Sequence, residues 1–196
     1  MIELGISKKF EHQISRLLKF NCSVFVVDYS NSSLINESKR GVEIYAVNPP
    51  EDAAYFSIYN ENEIDFRGLI FDHTSFRHKN GKTKTQCEAV FFPNSDLANT
   101  WVLFCELKYS NLPNRNSLNL TKALKQLYKT RYYYVQENVI STLNNSYLVA
   151  SLPLQSEPFP NFILSPALLL KLKSKRNIIV RLQNSVSIKS LRQLSI

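Results

Sequence analysis

Two acids and a lysine interrupt the most apolar stretches of the chain. Glu88 stands in Cys87-Glu88-Ala89-Val90-Phe91-Phe92, and Glu106 and Lys108 close the run Leu103-Phe104-Cys105-Glu106-Leu107-Lys108. Residues two apart on a strand project from the same side, so Glu106 and Lys108 face one way while Leu107 enters the opposite layer. If the two runs pair as a hairpin, Glu88 lies beside them. Two carboxylates can hold a hard, oxygen-loving cation such as Mg²⁺ or Mn²⁺, and a lysine ammonium can orient or acidify the attacking water. Phosphodiester hydrolysis needs both, because negative charge builds on the phosphoryl oxygens and no covalent intermediate is required. A second acid-x-lysine triplet, Glu37-Ser38-Lys39, falls in a polar stretch and lacks this setting.

The elements that must position these residues can be read around them. Residues 86–92 and 100–108 read as strands joined by a loop holding Pro93, Asn94, Ser95 and Asp96, and pair antiparallel. Residues 117–138 then carry the longest helical pattern, with Leu120, Leu124, Leu127 and Tyr134 on one side. On the other side Lys122, Gln126, Lys129 and Tyr133 fall at i, i+4, i+7 and i+11. Such a stripe suits a nucleic-acid backbone, with lysines on phosphates and tyrosine or glutamine stacking on or hydrogen-bonding to bases. The alternative for each residue taken singly is an ordinary solvated helix face.

These residues resemble the PD-(D/E)XK nuclease superfamily over residues 86–134. The core of that superfamily pairs an acid opening one strand with an acid-x-lysine triplet at the end of the next. The resemblance implies a restriction-endonuclease-like core, with Glu88 as the first acid, Glu106 as the second and Lys108 as the lysine. It also implies that Gln126 and the Tyr132-Tyr133-Tyr134 run lie near the site, and that Glu11 on a first helix adds a third metal ligand.

The remaining chain reads as follows. Residues 7–20 form a first helix with Ser7 as N-cap; residues 22–29 and 42–47 are strands joined by the polar stretch 30–40. Residues 54–59 and 66–72 are shorter strands, and 73–84 turn around Asn80-Gly81. A strand over 147–152, a proline-rich connection, a helix over 166–173 and a strand over 177–182 complete the pattern, leaving 185–196 as a weakly patterned tail. The expectation is a mixed α/β fold in which a central mixed sheet is flanked by helices. Residues 1–196 form one domain with a nuclease-like core over about 84–152.

Composition narrows the function classes. The 24 Lys and Arg against 16 Asp and Glu give a net charge of +8, which attracts polyanions. With only 4 glycines and no GxGxxG, P-loop or GxSxG pattern, kinase, NTPase and dehydrogenase readings are excluded. Cys22, Cys87 and Cys105 show no ligand spacing and read as reduced core residues of a cytoplasmic protein, and no apolar run is long enough to span a membrane. The leading expectation is a metal-dependent nuclease acting on DNA or RNA. Two alternatives stay open: an inactive nuclease-like module binding nucleic acid or a partner protein in a defence or mobile-element assembly, and a protein-interaction subunit or homo-oligomer with its 10 tyrosines as contact surface.

Overall fold

The computed structural model describes residues 1–29, 41–49 and 51–196. The polar stretch 30–40, with its Glu37-Ser38-Lys39 triplet, lies outside the described residues. The chain opens with α1 (Ile2–Lys9) and the single turn α2 (Glu11–Ile14). Strands β1 (Leu18–Phe20), β2 (Val24–Asp28), β3 (Val42–Tyr45), β4 (Phe56–Tyr59), β5 (Phe66–Ile70), β6 (Ala89–Pro93) and β7 (Trp101–Leu107) follow. The long α3 (Asn116–Gln136) leads to β8 (Asn145–Ser151), and α4 (Pro166–Arg176) leads to β9 (Ile178–Leu182), β10 (Ser185–Ser190) and β11 (Gln193–Ser195).

The expected mixed sheet flanked by helices has the strand order β1-β5-β6-β7-β8-β9. Strands β5, β6 and β7 run antiparallel, whereas β8 and β9 lie parallel to β7, each reached through a helix. A second sheet, β11-β10-β4-β2-β3, covers the other face. Strand β7 shows how period two builds these layers. Its Val102 and Phe104 pack with Leu120, Leu127 and Tyr134 of α3, while Trp101, Leu103, Cys105 and Leu107 pack with Val24, Val26, Phe56 and Ile58 of the second sheet. All seven residues of β7 are buried, which is why it reads as an unbroken apolar run with one charge inside it. Among the described residues no helix is long and apolar enough to cross a membrane.

Three expectations need correction. The first helix starts at Ile2 and breaks at Phe10, whose backbone leaves the helical region at φ −136°, ψ 52°. The break lets Phe10 stack on Tyr134 with ring centroids 5.5 Å apart, so aromatic packing overrides the helical spacing of 7–20, and residues 18–20 become strand β1. The tail 185–196 is no tail: β10 lies parallel to β4 and buries Val186 and Ile188, and β11 buries Leu194. Cys22 is exposed, whereas Cys87 and Cys105 are buried; all three are free thiols.

Candidate active site

Pairing of β6 with β7 sets Ala89 opposite Cys105, and the regular ladder ends there. The Glu88 N–H donates to Cys105 O at 3.2 Å, one residue out of that register, and the Leu107 N–H donates to Glu88 Oε2 at 2.8 Å, which holds the Glu88 side chain against the end of β7. The two glutamates are thereby close enough for the charge of Glu106 to act on Glu88, an arrangement that costs stability when both are ionised without a cation beside them.

Lys108 is part of that compensation. Its N–H donates to Ser151 O at 2.9 Å, which extends the parallel pairing of β7 and β8 past the end of the strand, and its Nζ contacts Glu106 Oε1. The side chain of Glu106 has no exposed surface and that of Lys108 is 16% exposed. Compensation is incomplete, because Glu106 Oε2 is buried with no hydrogen-bond partner among the described residues. Burial, with a smaller contribution from the Asp28 charge, raises the Glu106 carboxyl to about 7 against the pull of Lys108. Burial also raises Glu88 well above the usual carboxylate range, and the charges of Glu106 and Asp28 add to the shift. The neighbouring thiols of Cys87 and Cys105 are pushed up by burial and are inert.

Helix α3 fixes the approach to Glu88. The Cys87 N–H donates to Thr130 Oγ1 at 2.7 Å, and the Thr130 hydroxyl donates to Gln126 O at 3.0 Å. Gln126 Nε2 donates to Gln86 O at 3.0 Å, and Gln86 Nε2 donates to Asp72 O at 2.6 Å. One turn of helix therefore clamps the two residues before Glu88. Thr130→Val would leave the buried Cys87 N–H unpaired, at an expected cost of about 1–3 kcal/mol. In a chain of this size each kcal/mol lowers Tm by about 2–4 °C, so a thermal melt against Thr130→Ser, which keeps the acceptor, checks it.

The structure brings Glu88, Glu106 and Lys108 together. Glu11 lies exposed at the start of α2, and the residue that reaches inward from that turn is the fully buried Gln13, donating to Ser75 O at 2.8 Å and accepting from Tyr134 Oη at 3.1 Å. The third carboxylate acting on the pair is Asp28, at the end of β2 in the other sheet. Its N–H donates to Tyr109 Oη at 3.0 Å, and that hydroxyl donates to Ala54 O at 2.7 Å, so the residue following Lys108 ties both sheets together. Nothing in the local sequence at Asp28 marks it, whereas Tyr109 adjoins the triplet. Among the described residues no three His, Cys, Asp or Glu side chains form a group able to hold a metal ion. Glu88 and Glu106 are the residues that could hold a divalent ion here, since Mg²⁺ commonly takes one or two carboxylates, and Glu106 Oε2 has no hydrogen-bond partner among the described residues.

The lysine stripe of α3 is exposed at Lys122 and Lys129. Lys122, Lys125 and Gln126 face Lys84, Thr85 and Gln86 across a surface cleft of about 360 Å³. Gln126 and Tyr133 are less free than the spacing suggests. The amide of Gln126 holds the Gln86 carbonyl, and Tyr133 packs 5.1 Å from Phe76 beneath the Lys84 ammonium, 5.0 Å from its ring centroid. Lys84 and Lys125 thus join the basic surface through folding alone. No protein-family model, curated protein or solved structure matches the chain.

Proposed function

We propose that this chain is a metal-dependent nuclease that hydrolyses phosphodiester bonds at Glu88, Glu106 and Lys108. The observation that carries the reading is a pair of neighbouring carboxylates where β6 begins and β7 ends, Glu106 fully buried and Glu88 half-buried, beside one lysine and with Glu106 Oε2 unpaired among the described residues. Bringing two carboxylates together costs a fold stability, whereas a divalent ion is commonly held by one or two of them. The order of an acid opening β6 and a triplet closing β7 is also the order on which the PD-(D/E)XK resemblance rests.

Mg²⁺ or Mn²⁺ bound there would neutralise charge on the phosphoryl oxygens and activate a water. The chain's own residues hold and orient. The Leu107 N–H fixes Glu88, Glu106 fixes the Lys108 ammonium, and that ammonium stabilises negative charge developing on the phosphate. Lys84, Lys122, Lys125 and Lys129 carry the flanking backbone of the substrate. A cytoplasmic setting belongs to the same proposal, and the three free thiols suit a reducing compartment.

The test is incubation of the full chain with labelled single- and double-stranded DNA and RNA in Mg²⁺, Mn²⁺ or EDTA. Products confined to the metal lanes support the proposal. Retention without cleavage would identify an inactive binding module, and neither cleavage nor retention would leave the protein-interaction alternative. Binding should weaken steeply with salt, and Lys84→Ala, Lys122→Ala or Lys125→Ala should each reduce the slope of log K against log[salt] by about 1, measured by fluorescence anisotropy. An unchanged slope in all three would remove the cleft from the substrate path.

A further inference from the structure

We infer that α3 and α4 together form a track for the backbone of a long polynucleotide, a path that takes its starting point from the nuclease reading and leads from the glutamates across the helical layer. The substrate is then a polymer rather than a dinucleotide or another small phosphodiester. The net charge of +8 is unevenly placed along the chain. Residues 1–106 hold 11 Lys and Arg against 14 Asp and Glu, whereas residues 107–196 hold 13 against Glu137 and Glu157 alone. Neither α3 nor α4 contains an acid. Cations without interspersed acids attract phosphates along the whole surface that carries them.

The fold joins the two helices into one surface. Leu169 and Leu172 of α4 pack on the same core as Leu120 and Leu127 of α3, so both helices cover one face of the six-stranded sheet. Arg131 of α3 is buried and donates from Nη2 to Arg176 O, at the end of α4, at 3.1 Å. Lys122, Lys125 and Lys129 are exposed along α3, and the first two line the cleft with Gln86, two residues before Glu88. Lys171, Lys175 and Arg176 are exposed on α4. Lys173 lines the cleft on the β9 side, and residues two apart on a helix do not share a face, so Lys171 and Lys175 project from the flank nearer α3.

Strand register sets the length of the track. Ile178, just after α4, pairs with Ser146, and Ser146 pairs with Val102, four residues before Glu106. At about 3.3 Å per residue and 4.8 Å per strand, the end of α4 lies roughly 16 Å from the site. A duplex strand rising about 3.4 Å per nucleotide covers that distance in about five nucleotides. Tyr132 stands at i+7 from Lys125 and i+3 from Lys129 and is 48% exposed, so a base can stack on its ring. A membrane surface would call for an apolar strip kept apart from the cations; on α4 the exposed Leu168 and Leu170 interleave with the lysines instead.

The experiment measures binding of fluorescein-labelled single-stranded DNA and RNA of about 4, 8 and 16 nucleotides, and of a 16-base-pair duplex, to the full chain in EDTA, with cleavage of the same oligomers followed in Mn²⁺. Affinity should rise at least about tenfold from the shortest to the longest strand. The double variant Lys171→Ala, Lys175→Ala should weaken the longest strand at least about fivefold and leave the shortest within about twofold. Its slope of log K against log[salt] should fall by about 1.4 on a single strand and about 1.8 on a duplex. Lys189→Ala with Arg192→Ala removes the same charge from the second sheet and should leave every affinity within about twofold. Thermal melts check that both double variants fold. Equal affinity for all lengths, or equal weakening by the two double variants, would overturn the track. Release from phosphatidylserine vesicles in the α4 variant, without binding of any oligomer, would overturn it too and give α4 to a membrane surface. Length-dependent binding lost in the α4 variant, with no cleavage in Mn²⁺, would keep the track and remove the nuclease reading. Cleavage with equal kcat/KM at every length would do the reverse.

Discussion

Lys108→Met is expected to slow metal-dependent cleavage by about 10²–10³-fold while leaving substrate binding within about twofold, because an ammonium aimed at developing phosphoryl charge acts in the transition state rather than in the bound ground state. Methionine keeps the aliphatic volume of a side chain that is mostly buried, so the loss reports charge rather than packing. A second effect separates this role from a structural one. Lys108 is the strongest influence lowering the Glu106 carboxyl. Without it Glu106 holds its proton to higher pH, and the pH–rate profile should move in the alkaline direction, recovering part of the loss near pH 9. Single-turnover rates from pH 6 to 9 check both points. A variant slowed equally at every pH, or one whose affinity for substrate collapses instead, would show that Lys108 serves the strand end and not the reaction.

The local half of this site was legible because strand chemistry is local. Charges two apart in an apolar run must share a face, and an acid in the preceding run must fall near them if the two runs form a hairpin; the register of Ala89 with Cys105 is what that logic requires. Asp28 was not legible. It acts on the glutamates by its charge, from another sheet where its backbone N–H donates to the Tyr109 hydroxyl, and no spacing along the chain encodes a contact between sheets. Thr130 was equally silent, since a threonine inside a helix ordinarily marks nothing; its meaning lies in the Cys87 N–H that it receives.

The fold divides along the same line. The run β6, β7, α3, β8, α4, β9 follows from apolar runs and a leucine face because each element neighbours the next in sequence. In the second sheet β2, β3 and β4 were legible as strands, whereas β10, β11 and the sheet they complete were not, because these strands are short and their pairings distant. Strand β10 does alternate, with buried Val186 and Ile188 between serines, but it is parallel to a strand far earlier in the chain and contributes few apolar side chains. Aromatic packing at Phe10, rather than helical propensity, decided where the first helix ends.

Divalent ions should stabilise the protein strongly at pH 8 and barely at pH 5. The Glu106 carboxyl ionises at an ordinary value of 4.5 in the unfolded chain and near 7 in the folded one, and Glu88 is displaced in the same direction. Between these values the folded state binds more protons than the unfolded state, so the stabilisation is complete below about pH 4.5 and is lost as pH rises through about 7. At 1.4 kcal/mol per unit, roughly, Glu106 alone accounts for up to about 3 kcal/mol of that loss. Millimolar Mg²⁺ or Mn²⁺ should recover it, since a cation takes the place of the departed proton only where the carboxylates are ionised. Glu88→Gln keeps an acceptor for the Leu107 N–H while removing one of two opposed charges. It should raise the metal-free Tm at pH 8 by several degrees, abolish the divalent effect and abolish cleavage. Thermal melts of both proteins at pH 5, 6.5 and 8, with and without divalent ion, carry the test. A metal-induced shift of equal size at every pH, or one that survives in Glu88→Gln, would place the ion elsewhere and leave the two glutamates as a feature of the fold alone.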